Sequence, residues 1–406
     1  MTSSTLSSSL PSGRTALLVC TAAVLSLAVA MGIGRFAFTP LFPLMVRDGL
    51  LDSEAGALLA ASNYLGYLVG AMLASRLSLR AETLLALGLA GTVAVTAAIG
   101  WTASLPAWAV LRFLAGVLSA WTLVATSTWG LGWLAAAGRA HLAGLMFAGV
   151  GLGIAAAGLF CLALAGSAIS SQAMWVDLAL LAAVAVILPL AASRRLPVPA
   201  PAAAAPAPDA ASRTSAVRTG GLIACYTLFG FGYILPATYL PALARQLVDD
   251  PANFGWAWPV FGLAAALSTV LVSWRLHKAN RLKVWAGAHV VMAAGVLLPA
   301  LWVSLAGVVV AALLVGGTFM VITMVGMQEA RHRVHGNAAA ILGRMTAGFA
   351  FGQLMGPVVS GAIGYLTAHS PAALHTALTL AAAGLILSAI WLWREASHST
   401  LIKEHP

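Results

Sequence analysis

The side chains in this sequence that could do chemistry are mostly arginines set among apolar residues. Arg35 sits within GIGRFAFTPLFP, residues Gly32–Pro43. A guanidinium there must be desolvated, Gly32 and Gly34 weaken a helix, and Pro40 and Pro43 remove backbone donors, so the stretch reads as a locally broken half-helix with its hinge at the prolines. Arg35 lies roughly 30 Å beyond Arg14 along a helix rising about 1.5 Å per residue. At that depth it has two readings: a cation facing a cavity, ready for a negatively charged group, or a tether to carbonyls that the prolines leave free. Arg112 and Arg344 are the other cations inside long apolar runs. Acids are scarce. Glu54 and Glu82 fall at helix starts, where a cap or dipole role suffices; Glu329 falls beside Arg331 and Arg333; Asp177 is the acid with a buried position within reach. Three cations against one acid bias the interior positive, which suits an anionic solute.

The neutral polar groups Asn63, Tyr67, Tyr226, Tyr233, Thr238, Thr318, Thr323 and Gln353 fall at similar depths, either along a solute path or as interhelical hydrogen bonds. His289 either carries a proton or is a hydrogen-bonded core histidine. Catalysis is poorly served. There are no paired carboxylates or histidine cluster, and His332 and His335 have only Glu329 nearby in metal-ligand spacing. Cys20, Cys161 and Cys225 form no CxxC and imply neither a disulfide framework nor a metal site. The expectation is a protein that binds a small molecule, with no enzymatic step, no cofactor and no metal.

These groups need elements to hold them, and composition says which. Of 406 residues, 61% are hydrophobic and 8% charged, against about 25% charged in soluble domains. Apolar runs of about 20 residues, enough to cross a bilayer, recur at 15–45, 54–76, 82–104, 106–134, 140–165 and 173–193, then at 219–248, 254–276, 282–302, 304–328, 337–366 and 371–393. The fold class is an all-α polytopic membrane protein with about twelve transmembrane helices. With both termini inside, sixteen of the 21 Lys and Arg residues fall on cytoplasmic segments, among them Arg76, Arg80, Arg139, Arg194 and Arg275, and Arg47 and Arg245 fall outside. That asymmetry follows the positive-inside rule. The net charge of +10 then reads as topology plus attraction to anionic lipid, with no nucleic-acid partner. The apolar run after MTSSTLSSSLPSGR is too long for a signal-peptide core and reads as an uncleaved first span.

The Pro/Ala-rich stretch 194–218 cannot span and reads as a cytoplasmic linker. It divides the chain into a tail (1–14), a six-helix bundle (15–193), the linker, a second six-helix bundle (219–393) and a tail (394–406). The bundles repeat at an offset of 198 to 199: GIGRFAFTPLFP aligns with GFGYILPATYLP, 56–77 with 255–276, and Gly144, Ala148, Gly149 and Gly153 with Gly343, Ala347, Gly348 and Gly352. Tyr233 occupies the position of Arg35, so the pair is expected to face each other across a pseudo-axis. Parallel repeats of this kind place a substrate path between the halves. Gly149, Gly153, Gly348 and Gly352 are helix-packing positions, and Gly153 and Gly352 are expected to build the interface on which the halves move.

MGIGRFAFTPLFPLM (31–45), SNYLGYLVGA (62–71), LFGFGYILPATYLPA (228–242) and GGTFMVITMVGMQEAR (316–331) together resemble the major facilitator superfamily, and more narrowly its YbfB/YjiJ family. The span-four stretch Arg112–Gly116 is similar to that superfamily's R-x-x-x-G motif. GAMLASRLSLR keeps Gly70, Arg76 and Arg80 of its 2–3 loop motif but has Ala74 where the acid belongs. The resemblance implies a monomeric secondary transporter of a bacterial cytoplasmic membrane, working by alternating access on a small organic solute. An anion is favoured, protons are a candidate coupling ion, and lipid surrounds the chain. The expected binding residues are Arg35, Asn63, Tyr67, Arg112, Tyr226, Tyr233, Thr238 and Gln353; Asp177, Arg76, Arg80, Arg344 and Glu329 are expected in coupling or gating. Efflux of a drug or metabolite by the same fold is the alternative. A membrane sensor is more remote, since only thirteen residues follow Trp393.

Overall fold

Long apolar segments bounded by caps and glycine turns become helices, and a computed structural model shows how they are arranged. It describes residues 13–77, 79–197, 219–237, 256–334, 337–366 and 372–404. Helices α1 (Gly13–Arg47), α2 (Ser53–Arg76), α3 (Ala81–Gly100), α4 (Leu105–Ala136), α5 (Ala143–Leu164) and α6 (Ser171–Arg195) form the first half. Helices α7 (Thr219–Ala237), α8 (Ala257–Arg275), α9 (Arg281–Leu301), α10 (Leu305–His332), α11 (Ala338–Leu366) and α12 (Ala372–Glu404) form the second. No strand occurs among the described residues. Eleven of these helices are long and apolar enough to cross a membrane; α11, interrupted by Arg344, Gln353 and several glycines, is the long helix outside that set. The run expected at 219–248 is described as helix to Ala237, and its remainder lies outside the described residues, as do 198–218 of the linker.

Local chemistry sets the helix ends. Asp52 accepts from Ala55 N–H, Ser170 from Ala173 N–H and Ser304 from Gly307 N–H, each satisfying an orphan donor of a first turn. Gly49 and Gly138, at φ 71° and 67°, supply the left-handed turns that close α1 and α4. Arg76, Arg80, Arg139, Arg194, Arg275, Arg281 and Arg331 gather at one end of the bundle, here called the basic end. Leu180, Val184, Leu267 and Leu387 lie exposed along the outside, where lipid replaces water as solvent. Trp101, Trp256 and Trp302 are exposed near the opposite end, and Trp274 and Trp393 toward the basic end, in the manner of interfacial aromatic belts.

The repeat survives in the packing. Gly149 and Gly153 on α5 abut the backbone of Val24 and Ala28 on α1. At 199 residues further along, Gly348 and Gly352 on α11 abut Ile223 and Thr227 on α7. The same two small residues receive the same neighbouring helix in each half. This corrects the expectation that Gly153 and Gly352 form the surface between halves: both are used inside their own half. The crossing between halves uses other small residues. Gly151 on α5 meets the backbone of Gly262 and Ala266 on α8, Gly158 meets Pro259, and Gly343 on α11 meets Ser75 on α2. A residue that faces α1 on a helix cannot also face α8.

Candidate binding site between the halves

Helix α1 is not broken at its prolines. Pro40 and Pro43 sit in a continuous helical stretch, Phe38–Arg47, and the irregularity lies upstream, where Ala28–Phe36 winds as a π-helix. The glycines explain its place. Gly32 packs against the backbone of Gly153 and Gly34 against Thr92, so close that a Cβ on either would overlap its neighbour. A π-helical turn leaves backbone carbonyls without their usual donors, and such turns concentrate at functional sites. Here the neighbouring helix supplies the donors. Arg112 Nη1 donates to Gly34 O at 3.2 Å and Nη2 to Arg35 O at 3.1 Å, while Ser119 Oγ donates to Ala30 O at 2.8 Å.

The tether foreseen for Arg35 is therefore made by Arg112, which is 3% exposed, with its guanidinium carbon 4.6 Å from the Phe38 ring centre. Asn63 Nδ2 in turn donates to Arg112 O at 3.0 Å. Arg35 is left to point elsewhere. It is 2% exposed, its guanidinium carbon stands 3.7 Å from the Tyr67 ring centre, and its Nη2 donates across the halves to Gln353 Oε1. Its Nε and Nη1 have no hydrogen-bond partner. A guanidinium over a phenol ring, desolvated, gains about 2 kcal/mol of cation–π attraction. That does not replace the hydrogen bonds its free N–H groups would make in water.

A cavity of about 50 Å³ lies at this point. Arg35, Asn63, Tyr64 and Arg112 line it from the first half, and Tyr233, Ala237, Trp258 and Gln353 from the second. Arg35 and Tyr233, equivalent by the repeat, meet on the same cavity. At about 10–15 Å³ per water, it has room for about four waters, hence for a small solute. A second cavity of about 600 Å³ opens at the basic end, lined by residues that include His141, His277, Arg281 and Arg331.

The other residues singled out in the sequence scatter. Tyr67 supports Arg35 through its ring face and is not on the cavity wall. Tyr226 is buried in an aromatic cluster with Phe229, Trp285 and Phe349, and Tyr233 stacks on Phe319 at 4.4 Å. Thr318 and Thr323 donate to carbonyls one turn back in their own helix. His289 is fully buried, and its Nε2 accepts from Trp285 Nε1 at 3.0 Å. Asp177, the acid for which a buried position was within reach, is half-buried, because its helix face is only partly covered. Arg344, a cation within an apolar run whose expected place is near the inner gate or the headgroups, is exposed on α11. Arg76 and Arg80 are exposed at the basic end. Glu329 pairs with Arg333 at 2.8 Å and Arg281 at 3.8 Å, and Arg333 reaches Glu395 at 3.0 Å, so this network ties α9, α10 and α12 within the second half. Thr238 lies outside the described residues.

Contacts across the halves at the basic end come instead from Arg331 Nη1, donating to Thr128 O at 3.0 Å, from Gly144 N–H, donating to Ser273 Oγ at 3.1 Å, and from Ser273 Oγ, donating to His141 O. Tyr64 and Trp258 on the cavity, and Ser119, which donates to Ala30 O, are not among the residues that sequence reasoning selects. Tyr64 follows Asn63 directly, and the depth that places Asn63 on the path applies to its neighbour as well. No signal in the sequence marks Trp258 or Ser119.

The family model described as "Uncharacterised MFS-type transporter YbfB" matches residues 27–392. Among solved structures, the chain is similar to the human organic anion transporter MFSD10 (TETRAN), with TM-score 0.66 and 16% identity over 93% of this chain and 99% of that one. It is also similar to FucP, a major facilitator superfamily transporter in the outward conformation, with TM-score 0.65 and 16% identity over 92% of this chain and 98% of that one. At these identities the likeness concerns the fold. No curated protein sequence matches the chain.

Proposed function

Because the chain belongs to the family of YbfB MFS-type transporters, and is thus a secondary transporter of that fold, we propose that it carries a small organic anion, with Arg35 as the group that holds the negative charge. One observation carries this reading: Arg35 is buried between the halves with two guanidinium nitrogens unpartnered on a cavity. The charged side chains among the described lining residues are both arginines, and the second is occupied with backbone carbonyls. An anion on Arg35 would relieve the cost of a desolvated cation, and a site whose walls come from both halves suits alternating access.

The same reading makes the chain a multi-pass monomer of a bacterial cytoplasmic membrane, with both termini and the 194–218 linker in the cytoplasm, built from bundles 15–193 and 219–393. The matched packing of Gly149 and Gly348 supports that division. Protons are the candidate coupling ion. A cavity of about 50 Å³ favours a small solute over a bulky drug.

The test is a thermal-shift screen of the purified chain against matched small carboxylates, neutral amides and amines. A ligand present at about 100 times its Kd adds about 2.7 kcal/mol to the folded state, so a binding carboxylate should raise the melting temperature clearly. Stabilisation by amines or neutral solutes, with carboxylates inert, would overturn the anion reading.

A further inference from the structure

The cavity carries more information than its charge. The orientation of its two amides is fixed by their partners. Arg35 can only donate, so Gln353 must turn Oε1 toward it, leaving Nε2 as a donor without a partner. The Arg112 carbonyl can only accept, so Asn63 must turn Nδ2 toward it, leaving Oδ1 as an acceptor without a partner. Asn63 and Gln353 are fully buried. Trp258 Nε1 is a further donor without a partner on the same wall. Buried polar atoms are normally satisfied, and each left bare costs about 1–3 kcal/mol.

The bare atoms therefore describe their complement. Arg35, Gln353 and Trp258 offer donors around one positive charge, which a carboxylate with its two oxygens accepts. Asn63 offers one acceptor, which calls for a donor on the ligand, a hydroxyl being the smallest. Phe36, Phe38, Tyr64 and Tyr233 provide flat apolar walls, and the space admits about four waters' worth of solute, an acid of about five heavy atoms. We infer that the substrate is a small hydroxylated monocarboxylate, in which the carboxylate meets Arg35 and Gln353 and the hydroxyl donates to Asn63 Oδ1. This rests on the reading of the cavity as an anion site and adds to it a requirement for a donor.

The test measures binding to the purified chain by calorimetry, using acetate, glycolate, methoxyacetate and the uncharged ethylene glycol. Glycolate should bind roughly tenfold tighter than acetate, the worth of one well-made hydrogen bond. Methoxyacetate, which keeps the oxygen and has lost the proton, should fall back to the acetate level or below. The uncharged diol should show no binding. Asn63→Ala should lose the tenfold preference for glycolate over acetate. If that variant does not fold, the methoxy comparison on the unaltered chain still decides. Equal binding of acetate and glycolate would overturn the donor requirement and leave the anion site standing. Preference that survives in Asn63→Ala would overturn the assignment to Asn63. Failure of acetate and glycolate to bind, when larger carboxylates stabilise the chain, would overturn the small hydroxy acid class. Failure of every carboxylate would remove the anion site as well.

Discussion

Arg112 donates to the carbonyl of Arg35, at 3.1 Å, and to that of Gly34, at 3.2 Å. One buried arginine thus caps the π-helical turn from which the other projects. The two cations lie on one cavity and have different tasks: Arg112 spends its fork on backbone, and Arg35 keeps two nitrogens free.

That division predicts different losses. Arg112→Lys retains the charge and loses the planar fork that reaches two carbonyls at once. Both Arg112→Lys and Arg112→Gln should lower the ligand-free stability in detergent by at least about 2 kcal/mol, since each leaves buried carbonyls bare. Wild-type melting temperature in Arg112→Lys would mean the π-helical turn does not depend on that fork.

Gly153 provides a test of where the halves meet. Gly153→Leu drives a side chain into the backbone of Ala28 and Gly32, inside the first half. Overpacking of this kind costs about 1–3 kcal/mol, so the variant should melt lower and accumulate less in the membrane. A variant at normal level and normal melting temperature, defective only in transport, would instead place Gly153 on a moving surface.

How far the sequence leads is clear from particular residues. The helices are legible because lipid imposes a length and an apolar composition that few residues can hide, and the repeat is legible because close packing keeps Gly149 and Gly348 small. Arg35 and Gln353 both stand out as binding groups, since a charge or an amide at that depth is costly. Their contact is not legible: α1 and α11 meet through residues 318 apart in the chain, and nothing in either segment announces the other. The distortion in α1 falls away from the place the prolines suggest. Proline is a visible breaker, whereas a π-helical turn depends on what packs against Gly32 and Gly34. Depth can be counted along a sequence, and helix rotation cannot without a partner, so the exposure of Arg344 is not legible either.

Asp48 closes the first half at the end opposite the basic one. It accepts from Arg47 Nε at 2.8 Å and from Ser171 N–H at 2.6 Å, while Arg47 also donates to Ala165 O and Ile169 O. Burial works to raise the Asp48 carboxyl, and the hydrogen bonds from Arg47 and Ser171 outweigh it, holding the group below its ordinary value of 3.8. A depressed folded-state value contributes stability above the unfolded value and loses it as pH falls through the folded one. Asp48→Asn should therefore melt below the unaltered chain at neutral pH, with the gap narrowing below about pH 4. A gap independent of pH would show that charge plays no part.

Orientation rests on the distribution of Lys and Arg. Single cysteines at Ser9, Ala205 and Ser399 in a background without Cys20, Cys161 and Cys225 should resist an impermeant thiol reagent in intact cells and react after permeabilisation. Labelling of Ala205→Cys before permeabilisation would invert the topology.

Arg35 is the residue proposed to hold the substrate's charge. With a carboxylate from the thermal-shift screen in hand, the measurement is its stabilisation of Arg35→Lys and Arg35→Gln, each read beside the ligand-free melting temperature. Arg35→Lys should keep a reduced ligand-induced shift, because the ammonium remains a point charge, and Arg35→Gln should fold but lose the shift altogether. An Arg35→Gln protein that melts lower without ligand and still gains the full shift with it would contradict the claim, leaving Arg35 a structural residue stacked on Tyr67.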